Sequence, residues 1–402
     1  MKIYKESANC YGCTACMNAC PICAIVMVED DEGFLYPNID EVKCVNCGIC
    51  KNICKKHNDF CYETKKEPSI YAAININPEC RKNSSSGGLF SAMAEYVLNQ
   101  KGTVYGAAFN EQFMVKHIKI SSKNELNKLK GSKYVQSNMG TIFTDVKNDL
   151  TNGLMVLFSG TPCQVNGLKA YLNSPYDNLF LCDIVCHGVP SPLIWKDYID
   201  YISEKYGNKP IAISFRDKKY GWRKQAININ FGRTNYIKTT TQDPFYIMYF
   251  AHYMLRPSCH NCNYASYYRC SDITLGDFWG IEKSKIGKQL DDDKGVSLVM
   301  ANTEKGNELV AQIKKQIDII ESNQDECFQV IFKAPSKRSP LRDVFWKEHK
   351  ELKSNTFINK YGKLNYKQFI IKKIIVPITN ILGINRIAQK IYFIYINSNW
   401  KR

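Results

Sequence analysis

Four cysteines spaced Cys10-x2-Cys13-x2-Cys16-x3-Cys20, with Pro21 following, recur as Cys44-x2-Cys47-x2-Cys50-x3-Cys54, shifted by 34 residues at every position. Three thiolates separated by two residues wrap one turn of chain around a 4Fe–4S cubane. The fourth, three residues on, starts a short helix and points at the other cluster. The repeat therefore predicts one cluster on Cys10, Cys13, Cys16 and Cys54, and a second on Cys44, Cys47, Cys50 and Cys20. Zinc is the competing metal, but a single tetrahedral ion is normally held by two well-separated C-x2-C pairs and is poorly served by a tight triplet. Between the copies, residues 24–28 and 34–36 read as the arms of a hairpin around an acidic turn, Glu29-Asp30-Asp31-Glu32-Gly33.

This part, residues 1–62, resembles the bacterial two-cluster ferredoxin domain. Lys55 stands where that family usually has proline after the last cysteine, a change expected to affect the turn and the potential more than ligation. Cys23 and Cys61 fall outside the frame and are expected to be packing thiols. Ten of the eighteen cysteines precede residue 62, a density that points to metal rather than disulfides in a reducing compartment. No run of eighteen apolar residues and no secretory signal are apparent, so a cytoplasmic protein is expected. With 45% hydrophobic and 23% charged residues, wholesale disorder is excluded. The net charge of +16 is uneven: the stretch from Lys353 onward carries ten Lys or Arg and no acid, leaving +6 for the rest. A nucleic-acid partner is not expected, because such proteins spread positive charge over a binding face.

Past a polar linker near residues 64–68, strand-like runs (70–74, 102–109, 154–158, 179–185) alternate with helical patterns such as 89–99, which predicts an α/β layered domain. Ser84-Ser85-Ser86-Gly87-Gly88 leads into the helix at Leu89, and small residues at a helix N-terminus suit a phosphate. No GxGxxG occurs, which disfavours a Rossmann dinucleotide site. The acidic run Asp291-Asp292-Asp293 reads best as a turn before a strand at 296–300. Tyr246, Tyr249, Phe250 and Tyr253 read as core, with the lining of a ring-binding pocket as the lesser alternative.

The ordered set SSGGLF, GSKYVQS, FSGTPCQVNGL, CHGVPSP, FRDKKYGW, Cys259-x2-Cys262 and DITLGDFWG resembles the coenzyme F420 hydrogenase/dehydrogenase beta-subunit family over residues 68–340. The resemblance implies an α/β flavin-binding domain holding FAD beside a third 4Fe–4S cluster, behind the ferredoxin-like domain. Carried over by position, the third cluster uses Cys163, Cys186, Cys259 and Cys262, with Cys182 and Cys270 as rivals. The FAD draws on Ser86, Gly87, Gly88, Ser132, Lys133, Tyr134, Gln136, Ser137, Gly160 and Thr161. His187 is the one histidine inside a motif; proton handling and simple packing beside the cluster are both open readings, and no catalytic residue is assigned.

The implied function is that of an iron–sulfur flavoprotein oxidoreductase, exchanging hydride with a coenzyme F420-like or other organic partner, with a redox protein as electron partner. The alternatives are a ferredoxin-dependent reductase of a sugar or lipid-linked intermediate, or a non-catalytic electron-transfer subunit. The basic tail, residues 353–402, has apolar runs broken by Lys372, Lys373, Pro377 and Arg386. It suits either a helix on the anionic inner face of a membrane, anchored by Tyr395 and Trp400, or packing on the body or a partner.

Overall fold

The computed structural model describes residues 3–4, 6–59 and 67–364. The linker, Cys61, the tail beyond residue 364 and its expected membrane helix lie outside the described residues, as does the side chain of Lys55. Thirteen strands are described: β1 (Ile25–Glu29), β2 (Leu35–Ile39), β3 (Ser69–Asn75), β4 (Thr103–Phe109), β5 (Val115–Ile120), β6 (Val156–Gly160), β7 (Leu179–Ile184), β8 (Ala212–Asp217), β9 (Ala226–Asn230), β10 (Asn235–Thr239), β11 (Ile273–Asp277), β12 (Ser297–Ala301) and β13 (Ile317–Ser322).

Strands β1 and β2 form the expected hairpin of the N-terminal unit, paired antiparallel from Ile25 opposite Ile39 to Glu29 opposite Leu35. The body is built on an eight-stranded mixed sheet in the order β13-β3-β12-β11-β7-β6-β4-β5. Its centre, β4, β6, β7 and β11, is parallel. Antiparallel pairs with β5 on one side and β12, β3 and β13 on the other extend it. A separate sheet of β8, β9 and β10 packs with the helix Pro192–Tyr206 and the aromatic helix Pro244–Phe250.

The parallel centre follows from its connections. Val156, Leu157 and Phe158 of β6 are fully buried, as covering both faces of a parallel strand requires. The chain then turns into the helix Pro162–Leu172, which starts with proline at its first turn. Thr161 and Gln164 close a reciprocal capping box at the same end. That helix returns the chain to β7, so the carboxyl ends of β4, β6, β7 and β11 share one edge of the sheet. Ligands of open α/β sheets bind outside that edge.

The early part of the basic tail packs on the body. In the helix Ser354–Tyr361, Phe357, Ile358 and Tyr361 are buried, joining Tyr253 and Phe345 in the aromatic core. Among the described residues, no helix is long and apolar enough to cross a membrane.

Candidate functional site

The first repeat's triplet ends in the short helix Ala15–Asn18, and the second runs into the helix Ile49–Asp59. Cys20, Cys44, Cys47 and Cys50 line a single hollow together with Ile25 and Ile39 of the hairpin. Cys10, Cys13 and Cys54 act electrostatically on Cys16, whose thiol is pushed up chiefly by burial and then by these three. The fold thus brings together both interleaved sets read from the 34-residue repeat. Cys47 and Cys23 are exposed, so the second set lies toward solvent and the first toward the body.

The body's cysteines meet by a different route. Cys163 sits in the first turn of the helix after β6, Cys186 follows β7, and Cys259 and Cys262 belong to the 3-10 turn Pro257–Asn261 and its cap. All four line one hollow with Tyr11, Arg256 and Tyr264. Burial, then the neighbouring thiols, pushes Cys163 and Cys186 up to about 12 and Cys262 up to about 11. Four half-buried thiols that repel one another's ionised forms suit a cationic iron centre, which stabilises thiolate. Among the described residues, no three His, Cys, Asp or Glu side chains converge tightly enough to hold a single ion. The rivals lie elsewhere: Cys182 is buried within β7, and Cys270 offers its carbonyl to Lys169 Nζ at 2.8 Å.

The N-terminal unit is seated directly on this hollow. A Cβ at Gly167 would meet Cys13 Sγ at 3.0 Å, so only glycine at this helix position lets the first set approach. Tyr11 packs edge-on against Tyr264 with centroids 5.3 Å apart, and its hydroxyl accepts the Asn263 N–H at 3.2 Å. The acidic turn of the hairpin is a clamp. Both Glu32 oxygens accept from Arg342, Ser191 Oγ donates to the Glu32 carbonyl at 2.5 Å, and Lys350 pairs with Asp31.

On the other side of the body hollow lies a cleft of about 470 Å³, at the carboxyl edge of the parallel strands. The two cavities share Cys186, His187, Gly188, Val189 and Ile331 as a wall. Ser86, Gly88, Ser132, Lys133, Tyr134, Ser137, Gly160 and Thr161 all line this cleft. The Ser-Gly loop and the 131–137 segment are stitched together, since Ser85 Oγ accepts the Ser132 N–H at 2.7 Å. The helix Leu89–Asn99 presents its first turn to the cleft, where Ser91 Oγ is buried without a partner among the described residues. An orphaned hydroxyl beside bare helical N–H groups fits a phosphate-bearing cofactor.

Two of the expected FAD residues stand off the cleft. Gly87 lies beneath the loop: its N–H donates to Ser297 Oγ at 2.9 Å, and a Cβ there would strike the Ala73 carbonyl at 2.4 Å. Gln136 instead faces the N-terminal unit, donating to the Tyr11 carbonyl at 3.0 Å. Lys133 lines the cleft but its ammonium caps a short helix, donating to the carbonyls of Lys128, Leu129 and Lys130; burial lowers it to about 7.

Several cleft residues escaped sequence reasoning. His117 Nε2 faces the Ser159 carbonyl at 3.0 Å and so carries the proton. Its Nδ1 then accepts from Ser137 Oγ at 2.9 Å, and Gln164 Nε2 donates to that hydroxyl at 2.9 Å. Burial depresses His117 to about 4, so the network is neutral. Arg216 forms a two-pronged pair with Asp277 at 2.7 and 3.0 Å and donates to Tyr134 Oη at 3.1 Å. Trp222 Nε1 donates to the same carboxylate at 2.7 Å. This joins FRDKKYGW to DITLGDFWG, a meeting that neither motif announces alone.

His187 reaches both cavities, and its Nε2 lies 2.8 Å from His252 Nε2. His252 donates through Nδ1 to the Lys337 carbonyl, so its Nε2 accepts from His187. Of the aromatics, Tyr246 and Tyr253 are core, while Tyr249 and Phe250 reach the cleft. The acidic run 291–293 is the expected turn, held by Arg81 on Asp292 and Arg223 on Asp291 and Asp293.

Residues 70–143 and 154–326 match the N-terminal and C-terminal parts of the family described as coenzyme F420 hydrogenase/dehydrogenase, beta subunit, and residues 9–58 match a 4Fe-4S dicluster domain. The chain belongs to that beta-subunit family, with a dicluster domain in front of it. A curated relative is the coenzyme F420-dependent sulfite reductase of Methanocaldococcus jannaschii, 25% identical over 201 residues. The match covers 48% of this chain and only 30% of that protein. A solved structure of the F420-reducing [NiFe] hydrogenase complex from Methanosarcina barkeri aligns over 73% of this chain and 91% of that one, at 17% identity and a TM-score of 0.45.

Proposed function

We propose that this chain is an iron–sulfur flavoprotein oxidoreductase, joining single-electron traffic in its dicluster domain to two-electron exchange with an organic partner at the cleft. The carrying observation is the body hollow: four cysteines stand between the seat of Tyr11 and the wall shared with the cleft. When bound, clusters and FAD supply one-electron carriage and conversion between one- and two-electron steps.

The chain's own residues hold and separate these groups. Cys10, Cys13, Cys16 and Cys54 would hold one cluster; Cys44, Cys47, Cys50 and Cys20 a second; and Cys163, Cys186, Cys259 and Cys262 a third. Ser84–Ser86, Gly88 and the first turn at Leu89 would receive the cofactor's phosphates, while Gly160, Thr161 and Tyr134 border its remaining length. The neutral His117–Ser137–Gln164 chain fixes the cleft floor without adding charge. Tyr249 and Phe250 supply apolar surface for a ring at the mouth.

Anaerobic purification with iron, sulfide and flavin analysis tests the reading. About twelve irons and one FAD per chain are expected for three cubanes plus flavin. About eight irons without flavin would leave only the dicluster domain standing. A second reading is a non-catalytic electron-transfer subunit, favoured by the exposure of Cys47, which opens the outer set to a partner protein. Turnover of an organic hydride donor by the isolated chain would decide against that. Coenzyme F420 is the first donor to try, given the relative that uses it by name.

A further inference from the structure

Five arginines are buried: Arg81, Arg216, Arg256, Arg269 and Arg342. Three have carboxylates, Arg81 with Asp292, Arg216 with Asp277 and Arg342 with Glu32. Among the described residues, Arg256 and Arg269 enter no ion pair within 4.0 Å, and Arg256 lines the body's cysteine hollow. Arg256 is the more completely buried, at 0% exposure against 8%. An unpaired buried charge is costly and seldom tolerated without a counter-charge.

Arg256 belongs to the body, three residues before Cys259, but its guanidinium enters the N-terminal unit. Nε donates to the Cys10 carbonyl at 2.8 Å and Nη2 to the Leu35 carbonyl at 3.0 Å. Nη2 also lies 3.8 Å from Cys10 Sγ, and Nη1 donates to Gln136 Oε1 at 2.8 Å. The group lies over the Tyr36 ring, 4.2 Å from its centroid, and lines the hollow of Cys163, Cys186, Cys259 and Cys262. Among the described residues its hydrogen-bond partners are neutral groups or the Cys10 thiol, so no carboxylate offsets its charge beside the two sets. Arg269 donates to the carbonyl of Tyr264 at 3.1 Å, and Tyr264 lines the body hollow.

We propose that Arg256 is the counter-charge shared by the dicluster domain's inner cluster and the body cluster, and that it raises the reduction potentials of both, with Arg269 raising that of the body cluster. Reduction adds one negative charge to a cluster, and a fixed cation in a dry site favours the more negative state. The consequence is directional: the inner pair of clusters becomes the preferred resting place of electrons, downhill from the exposed outer cluster on Cys20, Cys44, Cys47 and Cys50. The inference rests on the cluster assignment above. Iron analysis of the wild-type chain tests that assignment without touching Arg256, so the two can fail separately.

The experiment is a redox titration of the full chain followed by electron paramagnetic resonance. In Arg256→Gln, the equilibrium constant for reducing at least one inner cluster should fall tenfold or more, which is about 59 mV for one electron. The outer cluster should not shift, and Arg256→Lys should stay within threefold of wild type. Arg269→Gln should move a single cluster. Unshifted potentials in Arg256→Gln with its full iron overturn the proposal, as does an equal shift in Arg256→Lys. Should Arg256→Gln lose iron, Gln136→Glu sets a carboxylate against the guanidinium and must lower the same potentials. Iron loss in all three Arg256 and Gln136 variants would assign Arg256 to assembly and overturn the proposal too.

Discussion

The N-terminal unit and the body each gather cysteines around a hollow, by opposite means. In the N-terminal unit, three of each four cysteines lie within seven residues, and the hollow forms wherever the chain makes a tight turn. In the body, the four span a hundred residues and come together only because β6, β7 and the 257–261 turn end at the same sheet edge. The local cage depends on spacing and tolerates exposure. The assembled cage depends on the whole sheet, has no exposed cysteine, and shares a wall with the cleft.

The sharpest test of that contrast is a cysteine variant in each cage. Cys186→Ser should lower iron from about twelve to about eight per chain and also deplete bound flavin, since Cys186 lines the cleft. Cys47→Ser should lose the same iron but leave flavin intact. Equal flavin loss in both variants would erase the distinction.

Next is the clamp that joins the two regions. Glu32→Ala leaves Arg342 buried without its carboxylate, an error that costs about 3–5 kcal/mol in comparable pairs. Chemical denaturation should show that loss, with the hairpin becoming sensitive to protease; an unchanged midpoint would mean the units are held otherwise.

A smaller effect separates the neutral cleft from its surroundings. His117 has a folded-state value lowered from 6.5 to about 4, so the folded protein resists its protonation. Its contribution is intact above pH 6.5 and is lost as pH falls toward 4, amounting to about 2 kcal/mol between pH 7 and pH 5. His117→Gln should flatten that part of the stability profile, and a parallel profile would refute the neutral network. At the small end, Asp31→Asn breaks an exposed pair with Lys350 and should leave the melting temperature unchanged.

Much of this was legible in the chain. The helix Leu89–Asn99 and the central strands β4, β6 and β7 fall within a residue or two of the expected runs, and the hairpin forms where expected with its second arm running on to Ile39, because apolar periodicity is a local property. Most of the residues expected from the family resemblance do line the cleft. Gly87 and Gln136 do not, and the reason is instructive: each sits inside a motif, but a motif marks a segment, and alternate residues of one segment face opposite ways. Gln136 serves the N-terminal unit from within a cleft-lining run. His117 and Arg256 went unremarked because they lie outside any spacing pattern; a lone basic residue carries no signal until its neighbours are known.

By itself, the sequence determined the cysteine triplets of the two N-terminal cages and the alternating layers, since both follow from interactions among residues a few positions apart. The tertiary structure alone decided that Cys163, Cys186, Cys259 and Cys262 face one hollow, that Tyr11 and Arg256 close it from the N-terminal side, and that the cleft lies behind the same wall. Those juxtapositions join residues as far apart as Tyr11 and Asn263, 252 positions along the chain. They come from sheet order and burial of apolar faces, which no short stretch of chain encodes.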